Sequence, residues 1–213
     1  MNISKDSSSF VLLTDIVPDI LLDIRYYSTF NFVGERIRGY EAPLALLTEQ
    51  AALVLKSVAQ KACEKGYRLL IYDAYRPQRA VDHFQEWGDL PTDIRMKRYF
   101  YPNRSKSELF DQGFIMRKSA HSRGSTVDIS LFDMNKGQIV DMGSNFDFFG
   151  QRSFADYTGC LSDEQLANRQ TLRDLMVTHD FHPLKEEWWH FTLNNEPFPE
   201  TYFDFPITLS KKY

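Results

Sequence analysis

The chain has little cysteine, no concentrated positive charge and no long apolar run. Its 213 residues include two cysteines, Cys63 and Cys160, far apart and in no CxxC pair. They read as two buried free thiols, with a single disulfide left open. The net charge is −4 and the pI about 5.7, without a Lys/Arg-rich run. No electrostatic footprint for nucleic acid is therefore present. Nothing approaches the roughly 18 continuous apolar residues of a membrane span. The start, MNISKDSSSFVLL, carries one Lys and no apolar core, so it does not read as a signal peptide. Together these absences lead us to expect a cytoplasmic protein with neither nucleic acid nor membrane as partner; they leave its oligomeric state unknown.

What is present suits one well-filled core spanning 1–213. Hydrophobic residues make up 43% and charged residues 25%, ordinary values for a globular chain. Aromatics reach 15%, with 17 Phe and 11 Tyr, enough for an aromatic-lined cleft or a β-rich core. No internal repeat, low-complexity tract or linker stands out.

Periodicity predicts a helix over 46–65 with an apolar stripe and Gly66 as its stop. A buried strand over 67–75 follows, then a helix opened by Pro77. Residues 88–104 lack periodicity and read as a long surface loop, of a length more often functional, for instance as a lid. Ser105 or Ser107 starts a short helix that ends at Gly113. Residues 126–133 alternate as a strand, and Gly137 turns 126–142 into a hairpin. Ser162 with Gln165 forms a capping box, and Leu161 with Leu166 a hydrophobic staple, for a helix running to about His179. Another strand covers 187–193. Helices and strands mix without regular alternation, so the expected class is α+β with a mostly antiparallel central sheet, helices packed against it and the functional cleft at the sheet.

Three constellations carry chemistry. In SAHSRGSTVDISLFD (119–133), His121 precedes a turn at Gly124, and Asp128 lies mid-strand on the face away from Val127 and Ile129. A carboxylate in such a strand needs a cation, either a metal or an arginine such as Arg123. In EEWWHF (186–191), His190 stands three residues after Glu187. Two His and one Asp are the ligand number of a catalytic zinc site, which leaves a position for water. A carboxylate that is not a ligand, here Glu187, can then take a proton. Residues three apart in a regular strand face opposite ways, so Glu187 is expected in the loop before the strand, with Pro183 keeping 182–186 irregular. In DAYRPQRAV (73–81), Arg76 stands at a strand end, where it either enters the cleft to stabilise an oxyanion or only pairs with Asp73.

Taken together and in this order, these motifs resemble the D-alanyl-D-alanine dipeptidases, zinc enzymes best known from vancomycin-resistance systems and related to D-Ala-D-Ala carboxypeptidases. The similarity runs from DIVPDILLDIRYYSTFNFVG to YFDFP, nearly the whole chain. It implies one zinc per chain on His121, Asp128 and His190, Glu187 as general base and then acid, and Arg76 at the oxyanion. It further implies that Tyr26 and Asp147 meet the ammonium of a small dipeptide, and that Ser119 lies near its carboxylate. The region 88–118 is the least similar and bears on substrate size. The rivals are a D,D- or L,D-carboxypeptidase or endopeptidase acting on longer wall peptides, a non-haem iron oxygenase using the same ligand set, and a non-catalytic zinc-binding module.

Overall fold

The structure is a computed structural model that describes residues 2–210 and 213. Met1, Lys211 and Lys212, at the ends of the expected 1–213 unit, lie outside the described residues. In chain order the strands are β1 (Asn2–Ser4), β2 (Phe10–Leu12), β3 (Leu21–Leu22), β4 (Leu46–Thr48), β5 (Tyr67–Asp73), β6 (Thr126–Asp133), β7 (Gln138–Ile139), β8 (Phe181–Pro183), β9 (His190–Leu193) and β10 (Thr201–Phe203). The α-helices are α1 (Leu13–Ile16), α2 (Glu49–Glu64), α3 (Gln78–Gly88), α4 (Lys97–Phe100), α5 (Lys106–Asp111) and α6 (Asp163–Val177). A 3-10 turn, Ala120–Arg123, precedes β6.

The central sheet has six strands in the order β3-β5-β6-β9-β8, with β7 beside β6. The α+β class stands, but the sheet is mixed rather than mostly antiparallel: β3 runs parallel to β5, and a separate parallel pair, β1 with β10, joins the two chain ends. A parallel neighbour needs a crossover connection, and here residues 23–66, including α2, supply it. With only two residues, β3 has no pattern by which a sequence reading can find it. The hairpin of β6 and β7 pairs Phe132 with Ile139, within the expected 126–142.

Strand β6 is buried on both faces from Thr126 to Leu131. Its Val127, Ile129 and Leu131 side chains are fully covered. Helix α2 packs Leu55, Val58 and Ala62 into the same core. Its start differs from expectation: Leu46, Leu47 and Thr48 form β4 against Phe10–Leu12, so the helix begins only at Glu49. Pairing across space overrides the local helical spacing there. Pro77 is the N-cap of α3, and the loop after it holds the single turn α4. Ser105 caps α5 through a capping box with Glu108, and Ser162 and Gln165 form the expected box on α6. Of the expected irregular stretch 182–186, residues 184–186 lie outside any strand or helix as expected, whereas His182 and Pro183 belong to Phe181–Pro183, which pairs with β9 as an edge strand, where a missing N–H is tolerated. Cys63 and Cys160 are free, as expected, but exposed rather than buried. Among the described residues no helix is long and apolar enough to cross a membrane.

Candidate active site

The site forms where β5, β6 and β9 lie side by side. Asp128 on β6 is the register partner of His190 on β9 and of Asp73 on β5. His121 arrives from the 3-10 turn, which Gly124 ends with a φ of 83°. A Cβ on Gly124 would sit 2.4 Å from the Phe10 ring, so this close left-handed turn requires glycine.

The His121 Nδ1–H donates to the Ala74 carbonyl at 2.7 Å. A carbonyl only accepts, so this bond fixes the tautomer and leaves the Nε2 lone pair facing the cleft. His121 Nε2 lies 3.2 Å from His190 Nδ1 and 3.2 Å from Asp128 Oδ1, and the last two are 3.2 Å apart. The three atoms thus form an equilateral triangle. A tetrahedral ion with bonds of roughly 2.0 Å separates its ligand atoms by about 3.3 Å. Asp128 Oδ1 is buried, and among the described residues it makes no well-aligned hydrogen bond beyond its approach to the two imidazole nitrogens. A lone carboxylate oxygen between two imidazole nitrogens fits a cation, and the three residues can hold a metal ion.

Glu187 lies in the loop before β9, and its Oε2 approaches His190 Nδ1 to 3.4 Å. Burial disfavours the His190 cation, but the Asp128 and Glu187 carboxylates outweigh it and push the imidazole up to about 9. Burial likewise raises the Asp128 carboxyl, yet His121 and His190 prevail and hold it below the usual carboxylate range. Asp128 is not paired with Arg123, which instead binds Glu196. Arg76 Nη2 faces Asp128 Oδ2 at 3.4 Å, while Arg76 Nε donates to Asp73 at 2.9 Å. Arg76 therefore does both things expected of it: it pairs with Asp73 and enters the cleft, over the Tyr26 ring.

All eight side chains named from the sequence line one cavity of about 130 Å³. They are His121, Asp128, His190, Glu187 and Arg76, together with Tyr26, Ser119 and Asp147. The Tyr26 hydroxyl donates to Asp147 Oδ2 at 3.0 Å. Burial, and then repulsion from Asp128 and Glu187, raises the Asp147 carboxyl well above its ordinary range. The Ser119 hydroxyl caps the turn that carries His121 and lies 3.5 Å from Arg76 Nη1. The other three histidines are engaged elsewhere, with Glu35, the Leu175 carbonyl and Asn194.

The sequence reading raised an aromatic-lined cleft and a size-setting region at 88–118 but named none of the residues that form them: Phe32, Phe84, Phe114 and Phe149 in the lining, and Ile115 and Met116 in the wall. It also undervalued Asp73, whose one signal was its place at the same strand end as Arg76.

A mixed sheet that presents a metal-sized triangle of two imidazoles and a carboxylate, with a further carboxylate alongside, is the equipment of a metal-dependent hydrolase. Comparison with known proteins is more particular. The family model of the D-Ala-D-Ala dipeptidases, Peptidase M15, matches residues 6–208, and the chain belongs to this family of peptidases. The D-alanyl-D-alanine dipeptidase of Enterococcus faecalis is 38% identical over 201 residues, 94% of this chain and 99% of that one. The enzyme of the same name from Enterococcus faecium is 38% identical over 198 residues, covering 93% and 98%. That from Streptomyces coelicolor is 38% identical over 201 residues, covering 94% and 99%.

Proposed function

We propose that this peptidase hydrolyses D-Ala-D-Ala to two molecules of D-alanine, with one zinc ion held by His121, Asp128 and His190. The observation that supports it most is the 3.2 Å triangle of ligand atoms with the Glu187 carboxylate 3.4 Å from one corner. Zinc at that place would acidify water to a pKa of roughly 7 and polarise the scissile carbonyl. Glu187 takes the proton of the attacking water and then returns it to the departing amine. Arg76 donates N–H bonds to the oxygen on which negative charge develops. Asp147 and the Tyr26 hydroxyl receive the substrate ammonium, and Ser119 lies toward its carboxylate.

The volume of about 130 Å³ supports a small substrate. Its buried acid supports a free amino end, because an acylated nitrogen would leave Asp147 facing no charge. The two free exposed thiols support a reducing, cytoplasmic setting.

The test is the release of free alanine by purified protein from D-Ala-D-Ala, from L-Ala-L-Ala and from a pentapeptide ending in D-Ala-D-Ala. The expected result is turnover of the first alone, abolished by chelator and restored by zinc. Turnover of the pentapeptide at an equal or higher rate would replace this reading with a carboxypeptidase.

A further inference from the structure

Arg76 stands between two carboxylates that need different things from it. Asp128 must keep an oxygen for a metal ion. Arg76 must keep N–H donors for the substrate. A guanidinium beside a lone carboxylate normally closes on it in a two-pronged pair, which here would draw Asp128 away from the two imidazoles. The structure shows otherwise: a 3.4 Å approach to Oδ2 through Nη2 alone, and an Oδ1 left to the two imidazoles.

Asp73 explains this. Its side chain is 1% exposed. Its Oδ2 accepts Arg76 Nε at 2.9 Å, and its Oδ1 accepts the buried Tyr40 hydroxyl at 2.7 Å. The pairing of β5 with β6 slips between Ile71 and Asp73, an irregularity that re-aims the side chain at the end of the strand. The Arg76 charge is thus tethered through Nε, with Nη1 and Nη2 turned toward Ser119 and Asp128 at the cavity.

We propose that Asp73, itself oriented by Tyr40, is a positioning residue that holds Arg76 in its place at the cavity wall and keeps it off the metal ligand Asp128. This rests on the roles given above to Arg76 and Asp128. Losing Asp73 has two consequences: Arg76 leaves the oxygen it serves, and it competes with zinc for Asp128.

The experiment compares Asp73→Asn and Tyr40→Phe, each alone and combined with Arg76→Gln. The readouts are kcat and KM on D-Ala-D-Ala and zinc affinity by competition with a coloured chelator. Asp73→Asn in the otherwise unchanged protein is expected to lower kcat and zinc affinity by about 10- to 100-fold, with KM little changed. Tyr40→Phe, which removes one hydroxyl, is expected to move the same quantities less. In the Arg76→Gln background the kcat loss should largely disappear, because the group through which they act is gone, and only a small part of the zinc effect should persist through the 3.7 Å approach of Asp73 to His121 Nδ1. Equal losses in both backgrounds would overturn the proposal and make Asp73 a purely structural residue. Unchanged kcat and zinc affinity in Asp73→Asn would overturn it too. If Asp73→Asn fails to fold, the Tyr40→Phe pair decides by the same comparison. An unmutated protein inert on D-Ala-D-Ala would sink the dipeptidase reading instead, and the zinc measurements would still decide the role of Asp73.

Discussion

Two walls of different construction close on the same cavity. One is the sheet: β6 and β9 carry Asp128 and His190, and the capped turn before β6 carries His121. The other is the connection from Gly113 to Lys118, between α5 and that turn. Behind the sheet wall lie fully buried residues such as Val127, Ile129 and Leu131. Behind the connection there is a second hollow of about 690 Å³, which shares Gly113, Ile115 and Met116 with the cavity. That wall is therefore a thin partition. The difference teaches a division of labour: groups that must be held to a fraction of an ångström sit on paired strands or on short segments that run directly into them, and groups that set the size of the space sit on a connection that can vary at small cost.

The largest effect should come from the chemical wall without touching the fold. Glu187→Gln removes a base and leaves an isosteric amide. It should lower kcat by about 10²- to 10⁴-fold while zinc content and melting temperature stay at parental values. Normal turnover by such a variant would remove Glu187 from the mechanism.

Next in size is the support behind that wall. Ile129→Ala, at a fully buried position of β6 beside Asp128, should destabilise by about 2–5 kcal/mol in denaturant unfolding. A loss below about 1 kcal/mol would mean that the sheet is not the rigid partner in the comparison.

A smaller effect concerns protons. In the metal-free protein His190 is pushed up to about 9 from its ordinary 6.5. A histidine raised in the folded state contributes stability that is complete below its unfolded pKa and is lost as pH rises through the folded one. The metal-free protein should therefore melt at progressively lower temperature between about pH 6.5 and 9, and His190→Gln should flatten that slope. Because zinc must displace the same proton, zinc uptake at pH 7 should release acid, measurable as a buffer-dependent binding heat. Uptake without proton release would contradict the pairing of His190 with Asp128 and Glu187.

The sheet wall was legible in the sequence residue by residue and the partition only as part of the region 88–118, for physical reasons. Asp128 is a carboxylate inside a strongly patterned strand, where an uncompensated charge is costly and so points to a function, while His121 stood out before the Gly124 turn and His190 between Trp189 and Phe191. Glu187 was placed before its strand by strand geometry alone. The boxes Ser105–Glu108 and Ser162–Gln165 are local chemistry, although only the second was read as a box beforehand. By contrast, Phe114, Ile115 and Met116 follow no period, and which of them turn inward depends on distant partners: Phe114 packs against Phe149 and Phe154, and the Ile115 N–H donates to the Leu109 carbonyl of α5. Strand β4 was hidden because Leu46–Thr48 continues the apolar spacing of α2, and only Phe10–Leu12, far away in sequence, makes it a strand. Asp73 was read as a reason to discount Arg76, since a sequence shows one partner at a time and the structure shows two carboxylates dividing one guanidinium.

The smallest expected effect on stability tests the partition itself. Met116 is 61% exposed yet lines both hollows. Met116→Ala should change stability by no more than about 0.5 kcal/mol, as exposed positions usually do. Its effect should fall on selectivity: removing the side chain opens the cavity toward the larger hollow, so a tripeptide such as D-Ala-D-Ala-D-Ala should gain kcat/KM relative to the dipeptide, with dipeptide kcat almost unchanged. That pattern would show size discrimination residing in the connection while the chemistry stays on the strands. A fall in dipeptide kcat comparable to that of Glu187→Gln would mean that the connection also orders the catalytic groups, and the two walls would then act as one unit.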